Sequence, residues 1–182
     1  MNQQGVSPRA AAEAPAQYLT FNLGGEMFAI GILAIREIIE YQALTAVPMM
    51  PACVRGVINL RGAVVPVIDL AARFGRPSSA VGKRTAVVIV EVADGEQRQV
   101  VGVVVDAVSE VLDIAAEDVE PPPSFGTRLR AEFIRGIGKV RGRFVILLDV
   151  DRALSPGEIG APAAVDAPSV PVAAAAAQAV AA

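Results

Sequence analysis

Short segments rich in β-branched residues, each followed by a turn that contains glycine, constrain the fold of this chain most strongly. Val, Ile and Thr favour extended backbone, and glycine permits the positive φ angles of tight hairpin turns. Four hairpins are therefore predicted, pairing residues 18–23 with 26–30, 54–60 with 63–68, 84–92 with 99–106, and 134–140 with 143–148. Four hairpins in one chain predict a mostly β, largely antiparallel fold.

Two of these strands carry apolar residues on both sides of the pleat. Residues 87–90 have the sequence Val-Val-Ile-Val, and residues 100–105 are all valine except for Gly102. Apolar residues at consecutive positions of a strand indicate burial on both faces. A chain of 182 residues achieves this most easily with two small β subdomains that pack together.

Helical signals are fewer and shorter. Asp69 is a suitable N-cap for one or two turns over residues 69–74. Residues 32–41 have apolar side chains at helical spacing, although their β-branched content leaves a strand open as an alternative. A single turn is expected at residues 115–118, followed by an extended connector at the prolines 121–123.

The two ends of the chain differ in composition from its middle. Residues 1–16 and 156–182 are rich in Ala and Pro and carry few large side chains. They cannot bury enough surface to offset the entropy of ordering, so both ends are predicted to be flexible. Residues 17–155 form one continuous patterned region, which is predicted to be the folded domain.

The composition excludes several classes of function. The chain has no histidine, which excludes an imidazole base, a histidine metal ligand and a phosphorylated histidine. A net charge of −3 and the absence of Trp argue against nucleic-acid binding. No apolar run reaches the roughly 18–20 residues that span a bilayer, so direct membrane insertion is not expected. We expect a cytoplasmic protein with no cofactor and no metal.

The remaining candidates for chemistry are three aspartates and one cysteine. Asp69, Asp106 and Asp149 each follow an apolar strand, where an Asp more often caps a turn or a helix than acts in catalysis. Cys53 has no histidine base to activate it, so a packing role is favoured. A small-ligand-binding β-barrel, or a hydrolase that uses these aspartates, stays open as an alternative function.

Several separated blocks of sequence resemble the CheW family of bacterial chemotaxis coupling proteins. The strongest are VRGVINLRG at residues 54–62 and VVPVIDL at residues 64–70. Further blocks agree in order and spacing, at residues 18–24, 35–38, 101–108, 133–138 and 146–149. The resemblance covers residues 17–155.

This resemblance implies a fold of two intertwined five-stranded SH3-like β-barrels with a few short helices and a shared hydrophobic seam. It also implies a non-catalytic adaptor that links the helical cytoplasmic tip of a chemoreceptor to the regulatory domain of the histidine kinase CheA. Such a protein is expected in the cytoplasm, recruited to membrane-associated receptor arrays. A related adaptor of another chemosensory pathway, serving surface motility or biofilm formation, is the alternative within the family.

The resemblance also implies two sets of binding residues. The receptor set is Ile35, Glu37, Ile38, Val57, Ile58, Asn59, Arg61 and Gly62. The kinase set is Leu44, Thr45, Val47 and Pro48. Within the receptor set, Glu37 and Arg61 are expected to form a partly buried, bidentate ion pair beside a groove between the barrels. No catalytic residue is expected.

Overall fold

The structure is a computed structural model that describes residues 15–78, 80–122 and 131–155. The extensions predicted over residues 1–16 and 156–182 lie outside the described residues, apart from residues 15 and 16. Residue 16 begins the first strand.

The described residues form eleven strands and two short α-helices. The strands are β1 (Ala16–Leu23), β2 (Glu26–Gly31), β3 (Ile35–Glu40), β4 (Val54–Leu60), β5 (Ala63–Asp69), β6 (Ala86–Asp94), β7 (Gln97–Val105), β8 (Ala107–Ile114), β9 (Val119–Glu120), β10 (Ile134–Val140) and β11 (Arg143–Leu148). The helices are α1 (Leu70–Arg73) and α2 (Val150–Ala153). Single 3₁₀ turns lie at Ile32–Ala34, Ala116–Asp118 and Ala131–Phe133.

The strands form two sheets whose order shows how the chain is intertwined. The first sheet has the order β8-β1-β2-β11-β10-β9, and the second has the order β3-β6-β7-β5-β4. The chain therefore starts in the first sheet, crosses to build the whole second sheet, and returns to complete the first. All pairings are antiparallel except two, β5 with β7 and β11 with β2, which close each sheet through distant parts of the chain.

Three hydrophobic clusters account for the packing of these sheets. One is enclosed by the second sheet and contains residues of all five of its strands, and a second contains residues of all six strands of the first sheet. When every strand of a sheet contributes residues to one cluster, the sheet must curl around that cluster. The largest cluster joins the two sheets and both helices. This is the predicted pair of barrels with a shared seam, and the first barrel has six strands because the two-residue β9 pairs with β10.

The valine-rich strands β6 and β7 lie where the two barrels meet. Val87 points into the core of the second sheet, while its neighbour Val88 points into the shared seam. Val104 and Val103 of β7 divide in the same way. The prediction that both faces of these strands are buried is confirmed.

The structure decides the predictions of short helical segments. Residues 32–41 form a 3₁₀ turn and then strand β3, so the helix suggested by apolar spacing is wrong and the β-branched alternative is correct. The reason is that β3 pairs along its length with β6, which supplies backbone partners that no local pattern reveals. The turns predicted at residues 69–74 and 115–118 are confirmed, with Asp69 as the N-cap of α1.

One structural unit occurs twice. The first hairpin–helix unit is β4-β5-α1, and the second is β10-β11-α2, with corresponding residue numbers that differ by 80. Each begins with a bulge, at Val54/Gly56 and at Ile134/Gly136. Both hairpins turn through an Arg-Gly pair in which each residue has positive φ, and both helices are capped by an aspartate.

Candidate docking surfaces

An open groove lies between β3 and β8, where the two barrels meet. It has a volume of about 560 Å³ and is lined by residues 38–40, 83–86 and 107–109. Ile38 is 45% exposed and is the exposed apolar side chain on the β3 side, and Ala107 and Val108 lie on the β8 side. We call this feature the β3–β8 groove. Charged residues, including Lys83 and Glu40, line the groove beside these apolar ones. A mixture of apolar and charged side chains is typical of a protein-binding surface.

The structure separates the predicted receptor residues instead of gathering them in one groove. Ile38 lines the β3–β8 groove, whereas Ile35 is half-buried against the shared seam. Ile58 is 4% exposed in the core of the second sheet, so the expectation that it lines an open groove is wrong. Adjacent residues of a strand point to opposite faces, and Val57 and Asn59 therefore lie on the outer face of β4 while Ile58 points inward.

Glu37 and Arg61 form the predicted ion pair, with Nη2 of Arg61 2.9 Å from Oε2 of Glu37. The Glu37 side chain is 24% exposed and the Arg61 side chain 82% exposed, so the pair is partly buried on the Glu37 side alone. The contact is made through one nitrogen and is therefore not the bidentate one that was expected. It connects β3 to the β4–β5 turn. Gly62 completes that turn and donates its backbone N–H to Oδ1 of Asn59.

The predicted kinase residues lie on a segment that covers the outer edge of β4. We call residues 41–50 the docking segment. Thr45 pairs with Val57 through two backbone hydrogen bonds of 3.0 and 2.9 Å, and Leu44 packs against the core of the second sheet. Val47 and Pro48 are exposed beyond that bridge.

Three further exposed apolar residues were not predicted from the sequence, two in the docking segment and one on β5. Met49 is fully exposed with a φ of 64°, Met50 is partly exposed, and Val64 of β5 is 71% exposed. Val64 lies opposite Asn59 in the β4–β5 register, and so shares the outer face of the sheet with it. Their signal in the sequence was the presence of large apolar residues in a proline-bounded loop and at an outward position of a strand.

Beneath the docking segment lies a buried ion pair. Nε and Nη2 of Arg55 are both 2.8 Å from Oδ2 of Asp69, whose side chain is completely buried. Burial acts to lower the pKa of Arg55, but the hydrogen bond with Tyr41 and the charge of Asp69 outweigh it, so the pKa lies above its ordinary value. The guanidinium is therefore charged at every physiological pH. Its Nη1 lies 3.5 Å from the Tyr41 hydroxyl.

The residues weighed as catalytic have structural roles. Asp69 accepts a hydrogen bond from the Ala72 N–H, Asp149 from the Arg152 N–H, and Asp106 from the Gly24 N–H. Burial raises the pKa of the Cys53 thiol, which disfavours the reactive thiolate. Within residues 15–78, 80–122 and 131–155, no cluster of three or more His, Cys, Asp or Glu residues could hold a metal ion.

A third charged feature joins three strands of the second sheet. Glu91 of β6 pairs with Arg36 of β3 and with Arg98 of β7. The hydrogen bond from Arg36 is the main reason that the pKa of Glu91 is below its usual value. Glu91 and Arg98 also line a cleft of about 630 Å³ between the barrels. Among the described residues, no helix is long and apolar enough to cross a membrane.

Comparisons with known proteins agree with this architecture. The model of the CheW-like domain matches residues 17–158. The chain is 36% identical over 154 residues to the chemotaxis protein CheW of Klebsiella aerogenes, covering 85% of this chain and 90% of that one. It is 37% identical over 142 residues to a probable chemotaxis protein CheW of Rhizobium etli, covering 78% and 89%. The crystal structure of the scaffolding protein TtCheW from Thermoanaerobacter tengcongensis superimposes with a TM-score of 0.70 at 31% identity, covering 84% of this chain and 93% of that one.

Proposed function

The chain belongs to the CheW-like domain family, and on that premise we propose that it is a non-catalytic adaptor that couples the cytoplasmic tip of a chemoreceptor to the regulatory domain of the histidine kinase CheA. Membership of this family makes it a chemosensory adaptor. The particular partners, and the place of the protein in the cytoplasm at receptor arrays, are parts of the proposal.

The observation that carries the proposal is the presence of two separate surfaces with exposed apolar side chains on one double barrel. The β3–β8 groove is one, with Ile38 exposed at its edge among charged and polar residues. The other is the docking segment, where Val47, Met49 and Met50 are exposed. Contiguous exposed apolar side chains mark protein-binding sites more often than catalytic sites. An adaptor needs two such surfaces, because it must hold two partners at once.

The groove suits a receptor helix. Its floor carries small and β-branched side chains such as Ala107 and Val108, against which the apolar face of an amphipathic helix can pack. Charged groups of both signs, including Lys83 and Glu40, line it and could orient that helix. The Glu37–Arg61 pair ties β3 to the turn of the first hairpin–helix unit, and so connects the groove to the other surface.

The docking segment suits the kinase domain. Val47, Met49 and Met50 are exposed on a segment that is anchored to β4 at Thr45. Methionine side chains adapt their shape to an apolar partner surface.

The test is a binding experiment with one variant for each surface. Ile38→Asp places a charge in the β3–β8 groove and is expected to weaken binding of a receptor-tip fragment at least about tenfold, while leaving binding of the kinase regulatory domain unchanged. Val47→Asp is expected to do the reverse. Val81→Asp is the matched control, since Val81 is 55% exposed on the connection between α1 and β6 and lines neither surface.

Isothermal titration calorimetry with each partner measures these affinities, and circular dichroism checks that the variants fold. If the unmodified protein bound neither partner, the adaptor proposal would be wrong. If both variants weakened both partners equally, the assignment of one surface to each partner would be wrong.

A further inference from the structure

The two hairpin–helix units carry the same arginine and aspartate at corresponding positions but use them differently. In the first unit Arg55 is 16% exposed and binds the fully buried Asp69. In the second unit Arg135 is exposed and makes no ion pair with the described residues. Asp149 is 33% exposed, and its ion-pair contact with a described residue is 3.8 Å long, to Arg152. The same local sequence pattern therefore produces a buried ion pair in one place only.

The second unit shows that the hairpin and its helix do not require this pair. Its bulge at Ile134/Gly136, its Arg-Gly turn and its aspartate-capped helix all form without it. A buried ion pair is costly to desolvate and is therefore weak evidence for a role in stability alone. The other contacts of Arg55 therefore indicate the role of the Arg55–Asp69 pair.

Arg55 contacts the start of the docking segment. Its Nη1 is 3.5 Å from the Tyr41 hydroxyl, and its guanidinium carbon lies 5.9 Å from the centre of the Tyr41 ring. Four residues later, Thr45 forms its two backbone hydrogen bonds with Val57. In the second unit the corresponding bridge joins Glu120 to Ile137, and the residue four positions before it is Ala116, which offers no ring or hydroxyl.

The neighbouring Gly56 allows the docking segment to approach β4 closely. A Cβ placed on Gly56 would lie only 2.6 Å from the Thr45 carbonyl oxygen. Arg55 and Gly56 are adjacent at the bulge, so one holds the segment at Tyr41 and the other leaves room for it at Thr45. These two contacts determine the position at which the exposed part of the docking segment, from Val47 onward, leaves the sheet.

We propose that Arg55, held in place by Asp69, is a positioning residue that fixes the docking segment in the conformation that binds the kinase. It does so through Tyr41 and without contacting the partner itself. This inference rests on the proposed function, since it takes the docking segment to be the kinase-binding surface.

The test compares Arg55→Lys with its counterpart Arg135→Lys. Lysine keeps the positive charge beside Asp69 but lacks the planar fork that reaches both Asp69 and Tyr41. Arg55→Lys is expected to weaken binding of the kinase regulatory domain by about tenfold, the effect of losing a hydrogen bond to a charged group, and to leave receptor-tip affinity within about twofold. Arg135→Lys is expected to change neither affinity. Tyr41→Phe, which removes only the hydroxyl, is expected to weaken kinase binding to a smaller extent.

Amide hydrogen exchange of the free protein provides the second measurement. In Arg55→Lys the Thr45 amide is expected to exchange faster while the β5 amides keep their protection, because the segment loosens and the hairpin does not. Faster exchange throughout β4 and β5, with both affinities reduced together, would show a purely structural role and overturn the proposal. Unchanged exchange at Thr45 would overturn it as well.

The exchange result does not depend on the partner. If the unmodified protein failed to bind the kinase domain, the proposed function would be wrong, while exchange at Thr45 would still show whether Arg55 positions the segment. If the unmodified protein bound and Arg55→Lys bound equally well, only the positioning role would be wrong.

Discussion

The first and second hairpin–helix units resemble each other closely in backbone and differ in what surrounds them. Both contain a bulge after the first residue, an Arg-Gly turn with positive φ and an aspartate that caps a short helix. In the first unit the strand edge is covered by the docking segment, and in the second it is covered by the two-residue β9. The repeated pattern therefore specifies the backbone of each unit, and the covering segment specifies its chemistry.

The glycines at the two bulges have the same position in each unit but contact different covering segments. A Cβ on Gly56 would meet the backbone of Thr45, and a Cβ on Gly136 would lie 2.5 Å from Cγ1 of Val119 and 3.0 Å from the Glu120 carbonyl oxygen. Each glycine permits a close approach of the covering segment. The difference is that the nearest atoms to Gly56 belong to the backbone of Thr45, whereas the nearest atom to Gly136 belongs to the side chain of Val119.

The largest expected difference between the units concerns the arginine at the bulge. Arg55→Ala would leave the buried Asp69 carboxylate without its partner and is expected to lower the free energy of unfolding by about 3–5 kcal/mol. Arg135→Ala removes an exposed side chain and is expected to change it by less than about 0.5 kcal/mol. Urea unfolding of the two variants measures both values. Equal changes in the free energy of unfolding would mean that the buried Arg55 contributes no more to stability than the exposed Arg135.

The two glycines are expected to give the next largest effect. Gly56→Ala and Gly136→Ala are each expected to cost about 1–3 kcal/mol, because the added methyl group overfills a packed contact. Combining Gly136→Ala with Val119→Ala should recover part of the loss, giving a coupling energy of about 1 kcal/mol in a double-mutant cycle. Leu44→Ala should not rescue Gly56→Ala to the same extent, since the nearest obstacle there is the Thr45 carbonyl oxygen. Equal rescue in both units would contradict this distinction.

The smallest effect on stability is expected at the turns. Arg61 pairs with Glu37 at 2.9 Å, and Arg141 lies 3.8 Å from Glu110, with both arginines largely exposed. Surface pairs of this kind contribute about 0–1 kcal/mol to stability. The free energies of unfolding of Arg61→Ala and Arg141→Ala should therefore both lie within about 1 kcal/mol of that of the unmodified protein.

The arginines of the two turns are expected to differ in their effect on receptor binding. Arg61→Ala is expected to weaken receptor-tip binding without loss of folding, and Arg141→Ala is the matched control that should not. If Arg61→Ala kept both its melting temperature and its receptor affinity, the role assigned to the Glu37–Arg61 pair in receptor coupling would be wrong.

Local features were predicted well from the sequence. The four hairpins, the valine strands with two buried faces and the Asp69 cap all depend on residues close together in the chain, and the structure contains each of them. Strand β8 was missed as a separate element, because its apolar residues fall in pairs, at 107–108 and 111–112, and do not show the alternation that predicts a strand. Its stability comes from pairing with β1 far along the chain. Residues 32–41 were ambiguous for the same reason.

The exposure of the residues assigned to binding was predicted only in part. Ile38 and Val47 are exposed as a binding role requires, but Ile58 is in a core, and its neighbour Val57 is not. A family resemblance identifies a strand without saying which of two adjacent side chains points outward. Met49 and Val64 are exposed as well, and their exposure depends on how the loop and the sheet curl.

The sequence by itself determined the class of fold, the turns, the caps and the family, because each of these is encoded by a few neighbouring residues. Only the tertiary structure decided that Arg55 is buried beside Asp69 while Arg135 is exposed. The physical reason is that the two arginines have the same local sequence context, and the environment of each is supplied by a segment outside its hairpin. Tyr41, at the start of the docking segment, contacts Arg55, whereas the corresponding position of the second unit is Ala116, which has no ring or hydroxyl.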